Sequence, residues 1–215
     1  MISQLVTRDD AHVPEPASIE QRAESWKVER PSRVWDVADG ATWWTTVDLF
    51  AGHGMGAIVS AIRPMLESMR IGVVLWSLTN EQNLRRVFAG ENSDAPYVVV
   101  AMHGDAGRML LAPGDSTPGF KSSFSVEEVR SMVRVPGKVV VGLGCASGTQ
   151  EWADAFFEGG ATDYIAPTSA PFAHVGSVFP TILFYALTQG QVLADAVQTA
   201  RSVDDELAIF MHFQR

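Results

Sequence analysis

Two residues of this chain carry side chains suited to nucleophilic chemistry, and they sit in matching settings. Cys145, the sole cysteine, follows the run Val139-Val140-Val141-Gly142-Leu143 and is flanked by the small residues Gly144, Ala146, Ser147 and Gly148. His103 follows Tyr97-Val98-Val99-Val100-Ala101-Met102 and is followed by Gly104-Asp105. A thiolate is the strongest nucleophile among side chains at neutral pH. An imidazole can take up and return a proton there. Each apolar run reads as a short β-branched strand buried on both faces, the pattern of a parallel sheet under helices. In open α/β sheets, ligands bind beyond the carboxyl ends of the strands. If the two strands are parallel neighbours, His103 and Cys145 emerge at one rim, and the residues between them suffice for a hairpin, a helix and a return. Taken singly, His103 also fits an ordinary loop histidine and Cys145 a packed thiol.

The elements that must position this pair alternate between strand and helix. Residues 1–32 form a polar arm with a short helix from the capping box Ser18-Ile19-Glu20-Gln21 to about Glu29. Residues 33–215 form one α/β domain. Val34 to Val37, with Asp39-Gly40 as a turn signal, predicts a hairpin or an edge strand before a first core strand that ends at Phe50. Ile58, Ile62, Leu66 and Met69 mark a helix that Pro64 should kink. Ile71 to Leu78 is a second strand. Thr79-Asn80-Glu81-Gln82 reads as a capping box for a helix with Leu84, Val87 and Phe88 inward. Arg108 to Ala112 reads as one arm of a small hairpin, and Ser125-Val126-Glu127-Glu128 as another capping box. Gln150 to Phe157, Pro180 to Leu187 and Val192 to Arg201 read as helices, Thr162 to Ala166 as a strand, and Glu206 to Phe213 as a last strand or helix. The result is an α/β fold with a largely parallel sheet.

Composition narrows the partners. The chain has 215 residues, 47% hydrophobic and 19% charged, enough for a substantial core. A net charge of −9 argues against a nucleic-acid groove or an anionic membrane surface. One cysteine excludes an internal disulfide and a cysteine-based zinc cluster. The five histidines, His12, His53, His103, His174 and His212, lack metal-ligand spacing. Tyr164 to Ala194 carries no Asp, Glu, Lys or Arg, but Pro167, Pro171, Gly176, Pro180 and Gly190 interrupt it, so it reads as buried core rather than a membrane span. Met1 to Pro16 lacks the apolar segment of a secretory leader, and a cytoplasmic location is expected. The tryptophans Trp26, Trp35, Trp43, Trp44, Trp76 and Trp152 read as core or interface rather than as a ligand platform.

The order of these parts resembles the caspase-type cysteine peptidases of clan CD, and within them the bacterial CHAT-like members. The residues that carry the resemblance are the strand, glycine loop and helix over Thr45 to Met69, Arg70-Ile71-Gly72-Val73-Val74-Leu75, and the helix capped near Thr79. With them go the strand ending in His103-Gly104, the strand before Cys145-Ala146-Ser147-Gly148, Trp152 to Ala166, and the closing helix Gln189 to Arg201. Departures are Leu143-Gly144, where the family often has Asp or Ser then Ala, and the lack of an obvious processing linker. The resemblance implies a three-layer sandwich with a mostly parallel central sheet and helices on both faces. It implies peptide-bond hydrolysis through a thioester, with Cys145 as nucleophile, His103 as base and proton donor, and the N–H groups of Gly104 and Cys145 as the oxyanion hole, without a cofactor. It further implies that the loop holding His53 shapes the substrate pocket, and that Thr168 and Ser169 contact substrate. His53 also fits a plain polar loop residue. A separate sensor or regulatory protein, and a homodimer through an edge strand over Leu207 to Phe213, are the partners this resemblance suggests. A role in bacterial defence or regulated proteolysis is suggested in the same way.

Two other classes remain. The same fold could serve as an inactive scaffold. Val47-Asp48-Leu49-Phe50-Ala51-Gly52-His53-Gly54-Met55-Gly56 also resembles the first motif of cytosine methyltransferases, which would bind S-adenosylmethionine with Glu81 at the ribose. Those enzymes carry a Pro-Cys pair that Gly144-Cys145 does not match. No Gly-x-Ser-x-Gly elbow is present for a serine hydrolase.

Overall fold

A computed structural model describes residues 44–105, 107–112 and 119–215. The predicted arm, its helix over 18–29, the strand at 34–37, and Trp26, Trp35 and Trp43 lie outside the described residues. The β-branched runs of the sequence become a six-stranded sheet in the order β2-β1-β3-β7-β8-β9. Its strands are β1 (Thr45–Ala51), β2 (Ile71–Ser77), β3 (Tyr97–Ala101), β7 (Val139–Gly142), β8 (Asp163–Pro167) and β9 (Phe210–Gln214). The first five are parallel, and β9 closes one edge antiparallel to β8. A second sheet, antiparallel, is made of β4 (His103–Asp105), β5 (Arg108–Leu110) and β6 (Ser123–Ser125).

Period-two burial decides which helices lie on which face. Val98, Val100, Val140 and Tyr164 point to one side, where α2 (Glu81–Phe88), α3 (Val126–Met132) and α4 (Gln150–Glu158) pack with Leu84, Phe88, Val129, Trp152 and Phe156. Val99, Ala101, Val141 and Ile165 point to the other, under α1 (Gly56–Ser68), α5 (Val175–Thr188), α6 (Leu193–Arg201) and α7 (Asp205–Ala208). This is a helix–sheet–helix sandwich with both faces of the parallel strands covered, as their unbroken apolar runs require. Among the described residues, no helix is long and apolar enough to cross a membrane.

Local signals mark several helix ends. The capping box at Ser125 is complete: its hydroxyl accepts from Glu128 N–H, and the Glu128 carboxylate accepts from Ser125 N–H. Elsewhere the structure differs from the sequence reading. The N-cap of α2 is Asn80 rather than Thr79, because the Asn80 side-chain oxygen takes the Asn83 N–H at 2.9 Å while Thr79 accepts only the Asn83 side-chain amide. Helix α1, as expected, runs through Pro64 to Ser68, with Ile62 and Leu66 buried. Helix α5 starts at Val175, ahead of the expected Pro180, because Val175, Gly176 and Phe179 are buried against the sheet and that packing outweighs the missing proline donor. The segment read as a last strand or helix is both, α7 and then β9. Trp152 is core, and Trp44 and Trp76 are partly buried.

One buried group breaks the apolar pattern. Asp48, in the middle of β1, is fully buried. Its carboxylate accepts from Trp76 Nε1 at 2.8 Å and Ser93 Oγ at 2.7 Å, and pairs with Lys138 Nζ at 3.1 Å. Charge buried at this depth is tolerated only when paired and hydrogen-bonded.

Candidate active site

The site is built where β3 and β7 end. The two strands are parallel neighbours, with Tyr97 opposite Val139 and Val100 opposite Gly142. They run in step, so the residues that follow them emerge at the same rim. Gly142 closes β7, and Leu143 N–H still donates to the Val100 carbonyl at 3.0 Å before the chain turns into Gly144 and Cys145. After β3, the chain bends at Met102 into β4 of the second sheet, so His103 opens a new strand instead of ending the old one. His103 and Cys145 are both half-buried, and the thiol is free.

Gly104 brings the two loops into contact. A Cβ built on it would stand 2.8 Å from the Cys145 backbone nitrogen, a distance no side-chain carbon tolerates. Gly144 answers it: a Cβ there would lie 3.5 Å from both Gly104 N and Gly104 Cα. The close approach requires glycine at 104, whereas a Cβ at 144 would make only ordinary van der Waals contacts. The register also says where the Gly104 N–H goes. Leu111 N–H bonds to the Ser122 carbonyl, which by alternation turns Met109 toward β6, and Arg108 and Leu110 toward β4. Gly104 stands opposite Met109, so its N–H is not spent on the β4–β5 ladder.

The other predicted residues divide. His53 is on the same rim, after β1, but exposed, and its Nε2 donates to the Thr79 carbonyl at 3.1 Å. It is its neighbour Gly54 that faces His103: a Cβ there would stand 3.3 Å from His103 Nε2. Ser169 is brought to the Cys145 loop through its backbone, its carbonyl accepting the Ala146 N–H at 3.0 Å. Thr168 turns away, with both its N–H and its hydroxyl on the Ile209 carbonyl. Gly148, after Cys145, serves packing. Gly148 N–H donates to the Pro167 carbonyl at 2.8 Å, and a Cβ on Gly148 would stand 2.8 Å from the Pro167 carbonyl carbon.

The sequence reading missed Tyr164 and the structural roles of Ser147 and Ala146. Ser147 is buried, and its hydroxyl donates to the Gly144 carbonyl at 2.6 Å, drawing the Cys145 turn closed. Tyr164 lies beneath, its hydroxyl donating to the Ser147 carbonyl at 3.1 Å, and burial pushes the phenol well above its ordinary pKa. Ala146 adopts φ of 53°, the left-handed region, directly after the cysteine. The Cys-x-Ser-Gly spacing was the one available signal for Ser147. A cavity of about 10 Å³, room for about one water, lies behind the turn against His103, Gly104, Gly144, Ser147 and Tyr164. It is far too small for a peptide side chain. Among the described residues, no cluster of three or more His, Cys, Asp or Glu is placed to hold a metal ion.

No family model matches the chain, and no curated protein matches it. Solved structures do. A chain of the Saccharomyces cerevisiae separase–securin complex aligns with 14% identity and a TM-score of 0.52, over 79% of this chain and 12% of that one. A second structure of the same complex gives 12% identity, a TM-score of 0.49 and the same coverage of 79% and 12%. The chain thus corresponds to a small part of the separase chain it matches. At such identities the likeness is one of architecture, and with the mostly parallel six-stranded sheet between two helical layers it shows a caspase-like α/β fold.

Proposed function

We propose that this chain is a cysteine peptidase in which Cys145 attacks the scissile carbonyl and His103 manages the proton. The observation that carries the reading is the in-step parallel pairing of β3 with β7, which delivers one imidazole and one thiol to a single rim with Gly104 packed on the Cys145 backbone. In this reading the thiol proton passes to His103 as Sγ bonds to the carbonyl carbon. The tetrahedral oxyanion takes hydrogen bonds from Gly104 and Cys145 N–H. Collapse breaks the C–N bond, and the proton goes from His103 to the leaving amine. Water then adds to the thioester, releases the carboxylate product and restores the thiol. Substrate lies along the open rim past Gly54 and the 168–172 loop. The resemblance to CHAT-like members is what suggests a role in defence or regulated proteolysis. The matched separase structure is a complex with securin, and this supports a protein partner for this chain.

The methyltransferase reading is not retained. Part of the 52–56 loop is taken up by the protein's own groups: His53 N–H donates to the Leu111 carbonyl at 2.8 Å, and Gly54 abuts His103. The test is intact-mass labelling of Cys145 with iodoacetamide across pH in the wild type and His103→Ala, followed by a peptide-library cleavage screen. Fast labelling well below pH 8 that slows markedly without His103, with cleavage abolished by Cys145→Ala, is expected, since a depressed thiol pKa needs a nearby cation or donor. An inert thiol, or equal rates in both proteins, leaves the inactive scaffold as the reading.

A further inference from the structure

Thr168 and Ser169 have the place of substrate contacts in the caspase-like pattern, yet their bonds run into the protein. The Thr168 N–H and hydroxyl both end on the Ile209 carbonyl, at 3.0 and 3.1 Å. A threonine hydroxyl has one proton to give, and here it is given. The next residue's carbonyl accepts the Ala146 N–H at 3.0 Å, and the preceding Pro167 carbonyl accepts the Gly148 N–H at 2.8 Å. Ala146 sits at φ of 53°, a conformation disfavoured for any residue with a Cβ. Such a residue persists only where its surroundings hold it. One group bonded to Ala146 is the Ser169 carbonyl, and the residue before it in the chain, Thr168, is itself tied twice to Ile209. Farther along the same loop, Phe172 N–H reaches Glu206 of α7 at 3.3 Å, so the loop is fastened to the 204–209 segment at both ends.

From this chain of bonds we infer that Thr168 is a positioning residue for Cys145. Its two bonds to Ile209 set the Ser169 carbonyl. That carbonyl holds Ala146 in the left-handed region, and the turn at Ala146 sets the direction of the Cys145 thiol. The inference rests on the nucleophile reading above. It replaces a substrate-contact role for Thr168 with one exerted through the backbone.

The test uses the full chain as wild type, Thr168→Val, Thr168→Ser, His103→Ala and the Thr168→Val/His103→Ala double variant. Cys145 alkylation by iodoacetamide is followed by intact mass across pH, and amide exchange at Ala146 is read in the same proteins. Valine keeps the shape of threonine and removes the hydroxyl. Thr168→Val is expected to slow labelling roughly threefold or more and to speed exchange at Ala146. The double variant should label little slower than His103→Ala alone, and Thr168→Ser should restore both readouts. Wild-type labelling and Ala146 exchange in Thr168→Val, with the His103 dependence intact, would overturn the inference and leave the peptidase reading standing. A wild-type thiol indifferent to His103 would overturn both. Should Thr168→Val fail to fold, Thr168→Ala read by the same two measurements takes its place.

Discussion

The α-carbon of Gly104 faces the Cys145 backbone so closely that an added methyl would stand 2.8 Å from the Cys145 nitrogen. Residues from the ends of two different strands are thereby pressed together at the rim of the sheet. The contact is backbone to backbone, so no side chain can swing aside to relieve it. Gly104→Ala should force the loops apart, lower stability by about 1–3 kcal/mol as overpacking does, and slow Cys145 labelling at temperatures where the variant is still folded. Thermal melts beside iodoacetamide kinetics check both halves. A variant with wild-type values in each would show that the loops have slack.

The Asp48–Lys138 pair lies in the core beside β1, away from the rim residues. Lys138→Met should lower stability by about 3–5 kcal/mol, because it leaves a buried carboxylate without its cation. The Asp48→Leu/Lys138→Met double variant should recover part of that loss, short of all of it, since Trp76 Nε1 and Ser93 Oγ lose their acceptor. Urea unfolding of the wild type, Lys138→Met, Asp48→Leu and the double variant reads the coupling. Additive losses would mean that the ion pair is not what holds these groups.

Ala146 offers a separate stability test. Glycine adopts positive φ without penalty, but loses more chain entropy on folding. Ala146→Gly should therefore shift stability by no more than about 1 kcal/mol. Ala146→Val should cost clearly more, because a β-branched residue fits the left-handed region worst. Equal melting temperatures for the glycine and valine variants would show that the turn relaxes at no cost.

Tyr164 sets a limit at high pH. Burial, the larger cause, raises its folded pKa, and the Ser147 side chain lowers it by less. In the unfolded chain the phenol titrates near its ordinary value of about 10. Above that pH the unfolded state binds fewer protons than the folded one, so stability falls as pH rises, by up to about 1.4 kcal/mol per pH unit from this one group. Below about pH 10 the contribution is fully present. Tyr164→Phe should flatten that alkaline decline in urea midpoints measured from pH 9 to 11, and an unchanged slope would assign the decline to other groups.

Short-range signals made much of the fold legible. The Val98–Val100 and Val139–Val141 runs name two buried strands. Ser125 with Glu128, three residues on, names a helix start. Leu84, Val87 and Phe88 name its neighbour's buried face. These features depend on residues within a turn or two of one another, where periodicity and capping act. The same proximity explains the near misses. Thr79 and Asn80 are both competent caps one residue apart, and only the backbone path chooses between them. Pro180 argues for a helix start, and the burial of Val175 and Phe179 against a sheet built elsewhere in the chain outweighs it.

By itself, the sequence determined the two chemical groups, the strands that carry them and the alternation that calls for a parallel sheet under two helical layers. Tertiary structure alone decided that β3 and β7 are neighbours in step, that Gly104 rests on Cys145, that Asp48 meets Lys138, and that Thr168 spends its hydroxyl on Ile209. Each of these joins residues some forty to ninety positions apart. No local preference encodes such a meeting; it exists only once burial of both sheet faces has selected one strand order from the many that the same strands could form.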